Sequence, residues 1–218
     1  MLIDALKQFE KEVAANSSEN LLNDALANLA PSFLYGGYIK IRDNYRVYIR
    51  TVEFYFHSEK LSGIHDPIMY HRNRRNVDGK LIMELPYFPV LSLHAHASGF
   101  DITFENSVQE YRASALIRSY EVKTNGGHYL VWDKSKGVFV KSTEYAYNGQ
   151  STYLYDIING FSLCSDNEIV WVDSHIDAAK PIARPRKNVF LSTSDYVYDK
   201  IEGRRCERMW SFTREEQV

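Results

Sequence analysis

Cysteine is almost missing from this chain: Cys164 and Cys206 are the only two, far apart and in no paired motif. That excludes a disulfide framework and a zinc finger, and it suits two free thiols in a reducing compartment. Long apolar runs are missing too. No stretch approaches the ~20 residues of a membrane span, and Met1–Glu10 carries acidic residues where a signal peptide has its apolar core. The expectation is a cytoplasmic protein with no membrane partner. An excess of positive charge is also lacking, since 26 Lys and Arg against 28 Asp and Glu leave a formal charge of −2. A protein that grips many phosphates usually carries a basic face, so any contact with nucleic acid has to come from local clusters.

What the chain does have is aromatic and ordinary globular sequence. Its 218 residues suffice for a real core, with 44% hydrophobic and 25% charged residues. Sixteen Tyr and 11 Phe favour sheet and offer flat surfaces for stacking. Without a repeat, a low-complexity tract or a linker, residues 1–218 read as one domain, and a monomer is expected.

Leu2, Ile3, Leu6, Phe9 and Val13 recur at helical spacing. Asn16-Ser17-Ser18-Glu19-Asn20 breaks that helix and offers cap residues, and a second helix runs from about Leu21 to Leu29, with Pro31 stopping it. The texture then turns to strands. Tyr38–Arg42 and Arg46–Phe56 alternate around an Asp43-Asn44 turn and read as a hairpin. His57–Asp78 is loop-like. Leu91–Ala97, Phe100–Phe104, Ala113–Tyr120, Tyr129–Trp132 and Val138–Lys141 are further strands, Thr152–Gly160 a short helix, and Ile169–Val172 another apolar strand. The fold class is therefore α+β: N-terminal helices packed on a mainly antiparallel, curved sheet.

Several segments, taken in order, resemble the alkyladenine (3-methyladenine) DNA glycosylase family. They are Leu29-Ala30-Pro31-Ser32-Phe33-Leu34-Tyr35-Gly36-Gly37, then Arg50-Thr51-Val52-Glu53-Phe54-Tyr55, then His65 in Gly63-Ile64-His65-Asp66, and Arg72-Asn73. The strand–glycine–strand pattern around Gly99 follows, then Ala115-Leu116-Ile117-Arg118-Ser119-Tyr120-Glu121. Ile169–Asp173, Ala183-Arg184-Pro185-Arg186-Lys187-Asn188-Val189 and Met209-Trp210-Ser211-Phe212 complete the series. The likeness spans about Ala27 to Phe212. It implies a monofunctional N-glycosylase acting on alkylated or deaminated purines in damaged DNA, without a cofactor. Glu53 falls on the family's catalytic Glu, Arg118 on its active-site Arg, and Tyr55 and His65 on its base-binding residues. Three family positions differ here: the wedge aromatic is Ser98, the second pocket Tyr is Ala95, and the pocket Asn is Glu105.

The residues themselves admit that chemistry. Hydrolysis of a glycosidic bond needs one carboxylate to orient and deprotonate a water, and Arg118 would keep Glu53 ionised. Tyr55 lies two residues from Glu53 and so on the same strand face, where a ring could stack on an extruded base. Arg72, Asn73, Arg74, Arg75 and Arg186, with Arg184, Lys187 and the Arg204-Arg205 pair, are the basic clusters available to phosphates. Two other readings stay open. A binding member of the same fold, without turnover, fits Ser98 and Ala95. A metalloenzyme fits His94 and His96, a His-x-His pair that His57, His71, Glu105 or Asp101 would have to complete.

Overall fold

The computed structural model describes residues 1–15, 18–66, 68–158, 169–174, 180–187, 189–192 and 201–215. Helix α1, Leu2–Ala15, buries Leu2, Leu6 and Phe9, one face at helical spacing, and leaves its charges outside. Helix α2, Glu19–Leu34, starts at Ser18, an extended N-cap residue whose hydroxyl accepts the Leu21 N–H. The expected stop at Pro31 does not occur, and the helix runs on through it. A proline inside a helix costs about 3 kcal/mol. The extra turn buries Phe33 and Leu34 completely, and two such side chains return roughly 1.5–3 kcal/mol each. Burial wins.

The strands follow the alternation of the sequence. β1 (Gly37–Ile41) and β2 (Tyr45–Ser58) form the expected hairpin. Two short strands, β3 (Arg74–Arg75) and β4 (Leu81–Met83), pair with each other in the stretch read as loop and just beyond it. β5 (Leu93–His96) and β6 (Gly99–Thr103) turn about Gly99, whose φ of 145° suits glycine. β7 (Tyr111–Thr124) is long, like β2, and β8 (Tyr129–Asp133) and β9 (Val138–Ser142) extend the sheet from its far end. β10 (Asn148–Gly149) precedes a 3-10 turn, Ser151–Leu154, and a one-turn helix α3, Tyr155–Ile158. The remaining strands are β11 (Ile169–Asp173), β12 (Ile182–Arg184), β13 (Phe190–Ser192), β14 (Ile201–Arg205) and β15 (Ser211–Thr213).

The large sheet runs β11-β1-β2-β7-β6-β5, with β15 beside the middle of β2 and β12 beside β15. Every pairing in it is antiparallel. The chain is thus a single α+β domain, an N-terminal helix pair on a large, open, mainly antiparallel sheet. No helix among the described residues is long and apolar enough to cross a membrane. Val52, Phe54 and Phe56 of β2 face the helices, Phe33 of α2 meeting Phe54 edge-on with ring centroids 5.5 Å apart. Glu53 and Tyr55, one residue out of phase, face the other way. That opposite face holds the cavity.

The candidate site is a polar cavity on the sheet

The strand register lays one transverse row across the sheet. Ser211 of β15 pairs with Glu53 of β2, Glu53 with Leu116 of β7, Leu116 with Asp101 of β6, and Asp101 with His94 of β5. Directly paired residues share a face, so the row sets Glu53 and Asp101 on one side of the sheet with Leu116 between them. The first four residues of the row line an open cavity of about 1070 Å³, together with Thr51, Tyr55, Tyr70, His96, Arg118 and others.

Glu53 is 1% exposed, and donors from three separate segments hold its carboxylate. Oε2 accepts Arg118 Nε at 2.7 Å and the Tyr55 hydroxyl at 3.2 Å, while Oε1 accepts the Lys187 backbone N–H at 2.9 Å. Arg118 reaches it because the β2–β7 ladder shifts register twice, skipping Arg50 on one strand and Arg118 on the other. Such irregularities re-aim side chains. Here they send Arg118 to Glu53 and leave Arg50 to bond Glu121 at 2.9 Å. Burial is the largest single influence on Arg118 and lowers its pKa, but the charge of Glu53, with that of Tyr55 and the hydrogen bonds to both, together hold it above the ordinary arginine value.

Tyr55 rests on a second buried pair. The Arg186 guanidinium lies 4.7 Å from the Tyr55 ring centre and 4.9 Å from that of Trp210. Its Nη1 donates to Asp66 Oδ2 at 2.5 Å, and Nη2 approaches the Cys206 sulfur at 3.6 Å. Arg186 thus braces the ring from behind. Burial, and then the Glu53 charge, push the Tyr55 hydroxyl well above its ordinary value, so it stays a donor.

The opposite wall is built from Asp101, His96 and Tyr70. Asp101 is 2% exposed. Its Oδ2 accepts the Tyr70 hydroxyl at 3.4 Å and stands 3.2 Å from His96 Nε2, while nothing among the described residues donates to Oδ1. His96 Nδ1 accepts the Ser98 N–H at 3.2 Å, which places the proton of the neutral ring on Nε2. The Tyr70 and His96 rings lie 4.8 Å apart.

Of the residues singled out in the sequence, Glu53, Tyr55 and Arg118 meet in this cavity. His65 does not line it: its Nε2 bonds the Lys60 carbonyl at 2.9 Å, and its ring lies 5.2 Å from that of His57. Arg186 is buried under Tyr55, and Asn73 is buried where it bonds Arg112 and the Leu85 N–H. Neither presents its side chain to a phosphate. Arg75 bonds the Gly79 and Glu59 carbonyls, Arg72 is half-buried, and Arg74 is exposed. Arg184 and Lys187 are exposed residues of the cavity lining, whereas the side chains of Arg204 and Arg205, and all of Cys164, lie outside the described residues.

The His-x-His pair sits among aromatic rings. The Phe88 ring lies 4.4 Å from His94 and stacks on His71 at 3.6 Å, and His71 Nδ1 bonds Glu105 at 2.8 Å. Among the described residues no group of three or more His, Cys, Asp or Glu is placed to hold a metal ion. Sequence reasoning missed the Lys187 N–H, because a backbone donor has no residue signature. It also passed over Tyr70, and weighed Asp101 only as a metal ligand. Ser98 lies in the cavity lining, at the turn between β5 and β6.

Comparison with protein-family models, with curated proteins and with solved structures finds no match to this chain.

Proposed function

We propose that the chain is a divergent glycosylase of the alkyladenine type, its sheet the family's curved one, which hydrolyses the N-glycosidic bond of an alkylated or deaminated purine in damaged DNA. The observation that carries this reading is Glu53: a carboxylate 1% exposed, fixed by Arg118, Tyr55 and the Lys187 N–H, in the wall of an open cavity. A carboxylate so held is preorganised to position one water and take its proton. The water oxygen bonds to the sugar C1′, its proton passes to Glu53, and the electrons of the breaking C1′–N bond leave with the base. Tyr55 and Tyr70 supply rings for the extruded base, and Arg184 and Lys187 supply charge for the backbone phosphates. No amine attack is required, so the product is an abasic site in an unbroken strand.

The test is release of abasic sites from single- and double-stranded oligonucleotides carrying hypoxanthine, ethenoadenine or 7-methylguanine. Wild-type protein generates them and Glu53→Gln does not. Absence of product from every substrate, or full activity in Glu53→Gln, defeats the assignment.

A second reading has its own observation. The turn that would carry a wedge has only the small side chains Ala97 and Ser98 at the cavity lining. A protein that binds a nucleotide or base there without cleaving it would show affinity and no turnover.

A further inference from the structure

We propose that Asp101 makes this cavity selective for a cationic base, such as an N7-alkylated purine, over a neutral deaminated one. The inference deepens the glycosylase reading and rests on it for the seat of the base.

The two carboxylates of the cavity row differ in how they are compensated. Glu53 has a full countercharge in Arg118 at 2.7 Å. Asp101 has no Lys or Arg partner among the described residues: beside its Oδ2 stand the Tyr70 hydroxyl at 3.4 Å and His96 Nε2 at 3.2 Å. Among the described residues nothing donates to its buried Oδ1. A buried carboxylate oxygen without a donor is unfavourable, and a positive charge nearby relieves it. The other cations of the lining, Arg184 and Lys187, are exposed, where solvent screens them and where phosphates would draw them outward.

The sheet geometry puts a ligand in range. Glu53 and Asp101 are two strands apart in one row, roughly 9–10 Å between backbones at the usual strand spacing. A sugar with C1′ over Glu53 therefore projects its base across Leu116 towards Asp101 and the Tyr70 ring. A unit positive charge on that base, some 6 Å from Asp101, gains affinity on the order of tenfold or more over a neutral base, even in a fairly polar site.

Equilibrium titration in mildly acidic buffer with two soluble probes decides the matter: 7-methylguanosine monophosphate, whose base is cationic there with N1 protonated, and inosine monophosphate, whose base is neutral. Wild-type protein binds the first at least tenfold more tightly. Asp101→Asn keeps the shape, removes the charge and brings the ratio close to one. Tyr70→Phe shifts it the other way, because Oδ2 loses a donor and the carboxylate is less compensated. The second variant also serves where Asp101→Asn does not fold. Equal binding of the two probes by wild-type protein, no binding of either, or ratios unchanged in the variants overturn the inference. A cation preference that depends on Asp101 but comes without abasic sites would defeat the hydrolytic reading alone. Abasic sites without the preference would defeat the selectivity alone.

Discussion

Arg118, the residue skipped on β7 where the ladder slips, donates its Nε to Glu53 Oε2 at 2.7 Å. A regular ladder would spend that position on an ordinary cross-strand neighbour. Arg118→Ala leaves Glu53 with the Tyr55 hydroxyl and the Lys187 N–H. The Arg118 side chain is 29% exposed, so water recovers part of the loss. The expected cost is about 1–3 kcal/mol, the range for a charged hydrogen bond with its lower end reduced for solvent screening, read from urea unfolding. On the proposed glycosylase reading abasic-site release falls in the same variant, and Arg118→Lys does not restore it, since an ammonium lacks the planar donor set. A variant with wild-type stability and turnover would show that the pair is idle.

Asp66 and Arg186 form a pair with side chains 2% and 0% exposed. Asp66→Ala strands a buried guanidinium beneath Tyr55. Breaking such a pair on one side costs about 3–5 kcal/mol, and the unfolding midpoint in denaturant should drop accordingly. A loss below 1 kcal/mol would mean that water reaches Arg186 from the Cys206 side.

Arg112, wholly buried on β7, is the hub of a second network. It bonds Glu59, Glu105, Asn73 and the carbonyls of Leu85 and Pro86, and its guanidinium lies 3.6 Å from the Tyr87 ring centre. Two carboxylates and two carbonyls depend on one cation. Arg112→Met therefore costs at least as much as the Asp66 change, and Arg112→Lys recovers little, because one ammonium cannot serve both carboxylates and both carbonyls. Differential scanning calorimetry of the two variants is the check: a Lys variant as stable as wild type would contradict it.

His57 gives the fold a pH response. Burial, followed by the charges of Arg72 and His65, holds its pKa well below the usual imidazole value, and Nδ1 accepts the Asp66 N–H at 3.1 Å. Below about pH 6.5 the unfolded chain takes up a proton at this ring while the folded chain does not. Its contribution to stability is complete above that pH. It is lost as pH falls towards the depressed folded pKa, at up to about 1.4 kcal/mol per pH unit. His57→Asn, whose amide oxygen can accept the Asp66 N–H, flattens the slope of stability against pH between 6.5 and 5. An unchanged slope would assign the acid sensitivity to other groups.

Much of the fold was legible because alternation is local. The helix face through Phe9, the β1–β2 hairpin and the strands around Gly99 all follow from periods that a few neighbouring residues express. What stayed hidden depends on partners distant in sequence. Pro31 stopped a helix on local rules, yet Phe33 and Leu34 carried it on by filling the core. Arg186 looked like a phosphate ligand from its basic neighbours, but Asp66, Tyr55 and Trp210 enclose it. The shared face of Glu53 and Tyr55 follows from their spacing on one strand, whereas Arg118 was joined to them through the resemblance. The slip that aims Arg118 and the Lys187 N–H that fixes Glu53 belong to pairings no single segment encodes.

The donors of Glu53 also set an order of events during synthesis. The Lys187 N–H comes from 134 residues further along the chain, and the β15 strand that flanks β2 is separated from it by 162 between Thr51 and Thr213. A chain emerging from the ribosome N-terminus first carries β2, β6 and β7 long before either segment exists. Glu53 is thus exposed beside an unpaired stretch of β2 through most of translation. The cavity is among the last features to close, and a nascent chain halted before residue 187 lacks both the β15 flank of β2 and the Lys187 donor.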